Sequence, residues 1–158
     1  MKKIFFLVIS VLIAVGCGKS SSSFIKGEVS DFDVNSTAKR FSQALEGKNY
    51  HLVSKVDQEK IAKSIKEYLR PTITIEINNP KISTKLISCN PSMALELPIR
   101  FAIYRELNGK VHLIYTNPEY WSLKHNIKDK ECIDLILLLA RDFDIALDSI
   151  KKIKKVKK

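Results

Sequence analysis

The sequence predicts an α+β fold of two layers, in which an antiparallel sheet packs against helices. Residues 72–77 and 99–104 alternate apolar and polar side chains, a period of two that is typical of strands with one buried face. Asn108-Gly109 predicts a tight hairpin after the second strand, because both residue types tolerate positive φ. Residues 130–152 instead repeat apolar side chains at helical spacing. The sheet is therefore at least partly antiparallel, with one face on helices.

The first helix is expected to begin at Asn35 or Ser36, whose side-chain oxygen can accept from an amide of the first turn, and to end at Gly47. Residues 50–56 then predict a strand. The helix is expected to bury one apolar face, made of Ala38, Phe41, Ala44 and Leu45.

A second helix is predicted from Asp57, which can cap it, to about residue 69, because Pro71 cannot continue it. Four large side chains on this segment recur at helical spacing, and we expect them to face the core. They are Ile61, Ile65, Tyr68 and Leu69.

Three Asn-Pro dipeptides predict three further helix starts. Asparagine accepts a hydrogen bond from an amide without an intrahelical partner, while proline at the first helical position already has helical φ. Short helices are therefore expected at residues 80–88, 91–95 and 118–125, with a strand at 111–115 before the last. The long helix at 130–152 carries the main apolar stripe, which consists of Ile133, Ile136, Leu137, Ala140, Phe143, Leu147 and Ile150.

The beginning of the chain has the pattern of a secretory leader. Lys2 and Lys3 precede an apolar run of 12 residues. As a helix this run is about 18 Å long against roughly 30 Å of hydrocarbon, so it is too short to span a membrane. Residues 14–17, Ala-Val-Gly-Cys, resemble the lipobox of bacterial lipoproteins, in which the cysteine is acylated and becomes the first mature residue. Cys17 is therefore the predicted lipidation site, and a soluble exported protein cut nearby is the alternative.

The lipobox, the serine run, the length of the chain and the lysine run together predict a division into four parts. Residues 1–16 form a signal peptide, 17–24 a flexible serine-rich tether, 25–150 a single α+β domain and 151–158 a lysine-rich tail. Gly18 is not the aspartate that favours inner-membrane retention in enteric lipoproteins. The resemblance therefore favours an exported protein, lipid-anchored in the outer membrane of the cell envelope and facing the periplasm.

The formal charge of +10 does not indicate a nucleic-acid partner once it is located along the chain. Two lysines belong to the leader and six to the tail, so the rest of the chain carries a formal charge of only +2. We therefore expect no nucleic acid partner. Lys151, Lys152, Lys154 and Lys155 are interleaved with apolar residues and can contact anionic lipid, the alternative being a solvated tail.

The reactive side chains form no recognisable catalytic or cofactor motif. The sequence has no Gly-x-Ser-x-Gly elbow, phosphate loop or HExxH motif, and its histidines lack metal-ligand spacing. We therefore expect no metal and no cofactor. Cys89 and Cys132 lack CxxC spacing; export permits a disulfide between them, and two small buried thiols are the alternative.

The middle of the chain resembles a known family through the order of its turn and cap residues. These are Asn79-Pro80, Asn90-Pro91, Ala94-Leu95, Leu97-Pro98, Asn108-Gly109-Lys110-Val111, Tyr115, Pro118 and His125. The pattern covers about residues 47–127 and is similar to the bacterial domain of unknown function 302 family (DUF302), with Asn78 and Asn126 where the family usually has glycine. The resemblance implies a two-layer α+β domain similar to TATA-binding-protein-like folds, and no established activity.

The polar side of the predicted sheet provides the main binding hypothesis. Arg100 and Tyr104 share one side of a strand and His112 lies on the next, so a cation, a phenol and an imidazole can bind an anionic or aromatic ligand. A solvated outer face is the alternative. We expect a non-enzymatic envelope lipoprotein that binds a small ligand or an envelope protein. The alternative is a surface-tethered hydrolase whose site forms only in three dimensions, with His112 or His125 beside a carboxylate.

Overall fold

A five-stranded sheet with helices on one face makes up the computed structural model, which describes residues 24–152. The predicted signal peptide, residues 17–23 of the predicted tether and residues 153–158 of the tail lie outside the described residues. The strands are β1 (Ile25–Ser30), β2 (His51–Asp57), β3 (Thr72–Asn78), β4 (Ile99–Arg105) and β5 (Val111–Thr116). The helices are α1 (Val34–Glu46), α2 (Gln58–Ser64), α3 (Pro80–Cys89), α4 (Trp121–Lys124) and α5 (Lys130–Leu147), with 3-10 helices at Pro91–Leu95, Pro118–Tyr120 and Asp148–Ile150.

All neighbouring strands of the sheet are antiparallel, in the order β1-β5-β4-β3-β2. In the central strand β4, Phe101 pairs with Ile75 of β3 and Tyr115 of β5. These three side chains are buried, whereas Arg100, which points to the opposite face, is exposed. The structure confirms the predicted α+β class with an antiparallel sheet against helices.

The sequence analysis does not predict β1, the edge strand that pairs with β5. Its middle residue is Gly27, and glycine normally weakens a strand. The neighbouring strand explains this glycine, because a Cβ atom at Gly27 would lie 2.3 Å from the carbonyl oxygen of Leu113. The close approach of β1 to β5 therefore requires glycine at this position.

The predicted helix caps are present, except that a different residue caps α1. Asp33 caps α1, rather than Asn35 or Ser36, because its carboxylate accepts a hydrogen bond from the Ser36 amide at 2.9 Å. Ala44, which was expected on the buried face of α1, is exposed. In each Asn-Pro pair the asparagine accepts from an amide two or three residues later, which confirms the three predicted helix starts.

The predicted hairpin joins β4 to β5. Only Gly109 takes a positive φ, of 82°, although both turn residues tolerate it. The side chain of Asn108 instead accepts a hydrogen bond from the amide of Lys110 at 2.9 Å, which stabilises the turn.

The long helix α5 supplies the centre of the core. It is shorter than predicted, because it ends at Leu147 and only a 3-10 turn continues it to Ile150. The Phe143 ring is buried and lies 5.1 Å from the ring of Phe101 and 5.5 Å from that of Tyr115. These edge-on aromatic contacts pack α5 onto the two middle strands of the sheet.

A disulfide joins two helices of the helical layer. Cys89 is the last residue of α3, and Cys132 lies in the first turn of α5. Their Cα atoms are 6.4 Å apart, and the bond closes a loop with a sequence separation of 43 residues. The bond fixes the carboxyl end of α3 to the amino end of α5.

The prediction for the second helix is wrong in length and in burial. Asp57 caps α2 as expected, but the helix ends at Ser64 and Lys66 takes a left-handed φ of 63°. All seven residues of α2 are described and none is buried. Because α2 lies in the connection between the adjacent strands β2 and β3, it sits at the end of the sheet and does not cross its buried face. The side chains expected to face the core are exposed, namely Ile61, Ile65, Tyr68 and Leu69.

None of the helices within residues 24–152 is both long enough and apolar enough to cross a membrane.

Candidate functional site

Two neighbouring cavities open at the end of the sheet where β1 begins and β5 ends, which we call the tether end. The larger, of about 560 Å³, lies between the open sheet face and the segment 94–98, and Arg100 lines it. The smaller, of about 200 Å³, is lined by Phe24, Trp121 and Leu123. Glu96 and Thr116 line both cavities. We call them the paired cavities, since these two residues separate them.

Of the three residues proposed from the sequence, Arg100 lines the larger cavity. Its guanidinium donates to Glu76 on β3, from Nε at 3.2 Å and from Nη2 at 2.7 Å. Glu76 also accepts from the Ser54 hydroxyl at 2.9 Å. The hydrogen bonds from Arg100 and Ser54 together hold the pKa of Glu76 below its ordinary value. Glu76 therefore remains a carboxylate that orients the guanidinium along the cavity wall.

Tyr104 and His112 lie elsewhere on the same sheet face. They pair across β4 and β5, and their rings stack with centroids 5.4 Å apart. Neither Tyr104 nor His112 is among the described residues that line the paired cavities. Tyr104 is four residues beyond Arg100, which is about 13 Å along a strand. The structure therefore does not bring the three side chains into one site.

Sequence analysis named His125 beside a carboxylate for the hydrolase alternative, but it did not identify the partners of this histidine, which form a buried network next to the cavities. His125 is 6% exposed, and its Nε2 lies 2.9 Å from Oε1 of Glu96. Its Nδ1 lies 2.7 Å from Oγ of Ser92. Lys124 donates to the same Glu96 oxygen at 2.7 Å. The Asn90-Pro91 turn places these residues. Asn90 caps the segment that holds Ser92, and its side chain donates to the carbonyl oxygen of His125 at 2.7 Å.

Burial and hydrogen bonding act in opposite directions on Glu96. Desolvation favours the protonated form, but the hydrogen bonds from Lys124 and His125 outweigh it and lower the pKa of Glu96. Because the carboxylate is ionised, Nε2 of His125 must carry the proton that it shares with Glu96. Glu96 therefore presents a fixed, largely compensated negative charge at the boundary of the paired cavities.

The distances within this network suit a nucleophile, a base and an orienting carboxylate, but the placement does not. A hydrolase needs its serine beside the space that substrate enters. Among the described residues lining the paired cavities, Glu96 is present and neither Ser92 nor His125 is. The Ser92 hydroxyl also lies 2.9 Å from the side-chain oxygen of Asn90, a structural cap. The arrangement favours a binding site over a nucleophilic one.

Replacing Glu96 with glutamine is expected to destabilise the domain at neutral pH by about 1.5 to 3 kcal/mol, the range for hydrogen bonds to charged groups. The folded-state pKa of Glu96 lies below its ordinary value of 4.5, so the stabilisation is complete above that pH and is lost as pH falls through the folded-state pKa. Urea unfolding of wild type and variant across pH should therefore converge in acid.

Lys124→Gln is the matched control, because it removes only the exposed partner of Glu96. We expect it to cost less than Glu96→Gln at neutral pH. A Glu96→Gln deficit that stays constant from neutral pH to acid would contradict the buried ionised carboxylate.

A larger groove, of about 790 Å³, lies between α3 and α5. Its buried carboxylate, Asp142, accepts from Lys48 at 2.6 Å and from the hydroxyl of Tyr50 at 3.0 Å. Burial, together with the charge of Asp142, raises the pKa of Tyr50. Lys85 at the rim pairs with Glu131 at 2.9 Å. These ion pairs resemble those at the paired cavities. The groove is the second candidate because none of the three residues proposed from the sequence lines it.

The described residues also contain one cluster with potential metal ligands. Cys89, Asp129 and Cys132 bring their ligand atoms within 4.8 Å of one another. The two sulfur atoms are bonded to each other, and the Asp129 carboxylate caps α5 by accepting from the Cys132 amide at 3.0 Å. The cluster therefore has a structural role in the disulfide form, because a disulfide sulfur is not a thiolate ligand.

The fold and the paired cavities define a small α+β domain with a cavity at one end of an antiparallel sheet. The family model described as "Domain of unknown function DUF302" matches residues 26–150, so the chain belongs to the DUF302 family. The chain is also similar to the crystal structure of the uncharacterized conserved protein DUF302 from Bacillus stearothermophilus, with 16% identity and a TM-score of 0.73. That match covers 82% of this chain and 99% of the other.

At this identity the likeness shows the fold alone. Among curated proteins, none matches this sequence. The further similarity to TATA-binding-protein-like folds stays a prediction.

Proposed function

We propose that the mature protein is an envelope lipoprotein, anchored through Cys17, whose domain binds an amphipathic small molecule in the paired cavities. The observation that carries the binding role is the position of Arg100, a guanidinium that Glu76 holds in the larger cavity between apolar walls. Small-molecule sites combine such walls with a few well-placed polar groups.

The anchor is supported by the sequence of the leader, and the position of Phe24 indicates which end of the domain the anchor would reach. Phe24 directly follows the serine run, and its ring lies 4.2 Å from that of Tyr120 at the smaller cavity. A lipid on Cys17 would therefore hold the tether end of the domain close to a bilayer. Gly18 favours the outer membrane, on its periplasmic side.

The rim and walls of the paired cavities indicate the class of ligand. Phe24 is 70% exposed, Leu95 81% and Leu123 79%, so the rim is apolar and close to the proposed anchor. Inside, Arg100 has five N–H donors and gives Glu76 only two. An apolar body with an anionic head satisfies both features, because the body covers the rim and the head accepts from the remaining donors.

A second candidate function is a surface-tethered hydrolase, and the contact between Ser92 and His125 favours it. This candidate requires that the Ser92 hydroxyl becomes accessible to a substrate. It differs from the binding proposal in one respect that can be measured, since Ser92→Ala would abolish turnover but leave ligand affinity in the paired cavities unchanged.

Arg100→Ala is expected to weaken binding of a fluorescent fatty acid, dansyl-undecanoic acid, about tenfold, the effect of losing a hydrogen bond to a charged group. The measurement is a fluorescence titration of the unacylated chain that begins at Gly18. Ala102→Trp, which places an indole in the larger cavity, should abolish binding. His112→Ala is the matched control on the same sheet face and should leave the Kd within about twofold.

The methyl ester of the probe tests the anionic head and should bind less tightly than the acid to wild type. Equal Kd values for wild type, Arg100→Ala and Ala102→Trp would refute binding in the paired cavities. If the protein hydrolyses p-nitrophenyl esters and Ser92→Ala abolishes that activity, the hydrolase becomes the preferred function.

A further inference from the structure

An exposed apolar surface lies on α2 and the turn that follows it, which we call the α2 segment (residues 58–70). Ile61 is 50% exposed, Ile65 68%, Tyr68 82% and Leu69 40%. A short amphipathic helix normally buries its apolar side chains against the protein. Within residues 24–152 none of these four side chains is buried, so they are available to a partner.

Cations are interleaved with this apolar surface. The α2 segment holds four, Lys60, Lys63, Lys66 and Arg70, against the two anions Glu59 and Glu67. Only one of these cations has a salt bridge among the described residues, Lys63 with Glu59 at 2.7 Å. The surface is therefore both apolar and positively charged.

The same end of the sheet gathers further residues of this kind. β1, β2 and β4 all end there, because they run in the same direction. Leu107 in the β4–β5 turn is 85% exposed. Lys151 and Lys152, where the lysine-rich tail begins, also lie there, since Lys151 pairs with Glu28 near the end of β1. We call this end, opposite the tether end, the α2 end.

We infer that the α2 segment docks on the surface of an anionic lipid bilayer, with Ile61, Ile65 and Tyr68 in the interface. A short helix with exposed apolar and aromatic side chains beside lysine and arginine has the properties of an interfacial membrane segment. Tyrosine is favoured at the level of the lipid headgroups, and each nearby cation is attracted to the anionic surface.

A second copy of the chain fits this surface less well. A two-fold contact would bring the α2 segment of one protomer against the same segment of its partner. Two segments that each hold four cations against two anions would then lie together, and like charges across an interface oppose association. An anionic bilayer instead attracts these cations.

Docking is compatible with the proposed anchor, although the α2 end and the tether end are opposite ends of the sheet. The six residues of β1 correspond to about 20 Å. Fully extended, residues 17–24 reach about 26 Å, so the domain can lie flat on the membrane that holds Cys17. The inference uses the proposed function only as the reason why a bilayer is nearby.

The test measures co-sedimentation of the chain from Gly18, which keeps every described residue but lacks the acyl group, with vesicles. We expect binding to phosphatidylglycerol–phosphatidylcholine vesicles and little to pure phosphatidylcholine. Ile65→Glu should weaken binding at least tenfold, since it removes an interfacial side chain and adds a like charge to the surface. Ile145→Glu, on α5 and 52% exposed, lines neither the paired cavities nor the α2 segment, so it is the matched control and should change binding less than threefold.

One additional variant and one additional measurement separate the alternatives. Deleting residues 153–158 should leave at least part of the binding, whereas complete loss on deletion with no effect of Ile65→Glu would assign binding to the tail and overturn the inference. Equal binding of Ile65→Glu and wild type would also overturn it. Sedimentation velocity without vesicles tests for a dimer. A dimer that Ile65→Glu dissociates would also overturn the inference. Because the chain is unacylated and the paired cavities are distant, these outcomes are independent of Cys17 and of ligand binding.

Discussion

Cys17→Ser is expected to abolish incorporation of labelled palmitate into the protein. The resemblance of residues 14–17 to a lipobox makes Cys17 the attachment site of the lipid, and a serine at this position has no thiol to carry it. Wild-type protein should yield an amino-terminal peptide that begins at Cys17 and carries acyl chains. The variant should lack this peptide, and mass spectrometry of the two amino termini distinguishes the forms.

The size of this effect follows from the hydrophobicity of the acyl chains. Each buried methylene adds about 0.8 kcal/mol, so two or three chains hold the protein on the membrane far more firmly than the α2 segment alone. Ser20→Ala, three residues away, is the control and should keep both label and mature terminus. A wild-type terminus that is unacylated, or that begins after residue 17, would exclude the lipoprotein proposal.

Loss of the Cys89–Cys132 disulfide is expected to lower the free energy of unfolding by about 4 kcal/mol. The bond closes a loop with a sequence separation of 43 residues, and the chain-entropy treatment of the unfolded state gives this magnitude for such a loop. Because domains of this size have about 5 to 15 kcal/mol in total, the loss removes a large share of the stability. Urea unfolding of wild type and of Cys89→Ser/Cys132→Ser measures the difference.

The single variant Cys132→Ser serves as the control for the disulfide prediction. It breaks the same bond and should be destabilised by about as much as the double variant, since both variants lack the same cross-link. Wild type treated with a reductant should match the double variant. A change of less than about 1 kcal/mol in all three cases would mean that the bond contributes little beyond the packing of α3 on α5.

The local elements were predictable because each depends on residues that are close in sequence. An asparagine before a proline sets its own cap, as Asn79 does by accepting from the Ile82 amide at 3.3 Å. The Asn108-Gly109 turn fixes the β4–β5 pairing in the same way. β1 was not predicted, because the reason for Gly27 in this strand is its close approach to β5. That approach is to Leu113, which is 86 residues away in sequence.

The candidate site was predicted only in part for the same reason. The alternation of apolar and polar residues along β4 correctly predicted that Arg100 lies on the open sheet face, where it lines the larger cavity. This alternation does not indicate where along the strand a cavity opens, and Tyr104 does not line the cavity. Glu96 and His125 are 29 residues apart in sequence. Only the packing of the segments that follow Asn90-Pro91 and Asn117-Pro118 brings Oε1 of Glu96 within 2.9 Å of Nε2 of His125. A buried Glu–His pair leaves no spacing pattern in the sequence.

The residues of the chain were sufficient to predict the α+β class, the three Asn-Pro helix starts and the hairpin, since caps, turns and alternation act over a few residues. Its leader also defined the proposal of a lipid anchor at Cys17. The tertiary structure alone decided which apolar faces are buried. Helical spacing aligns Ile61 and Ile65 on one side of α2, but whether that side meets the core depends on where the β2–β3 connection lies. Burial is a property of the assembled layers, because a side chain leaves water only when another element covers it.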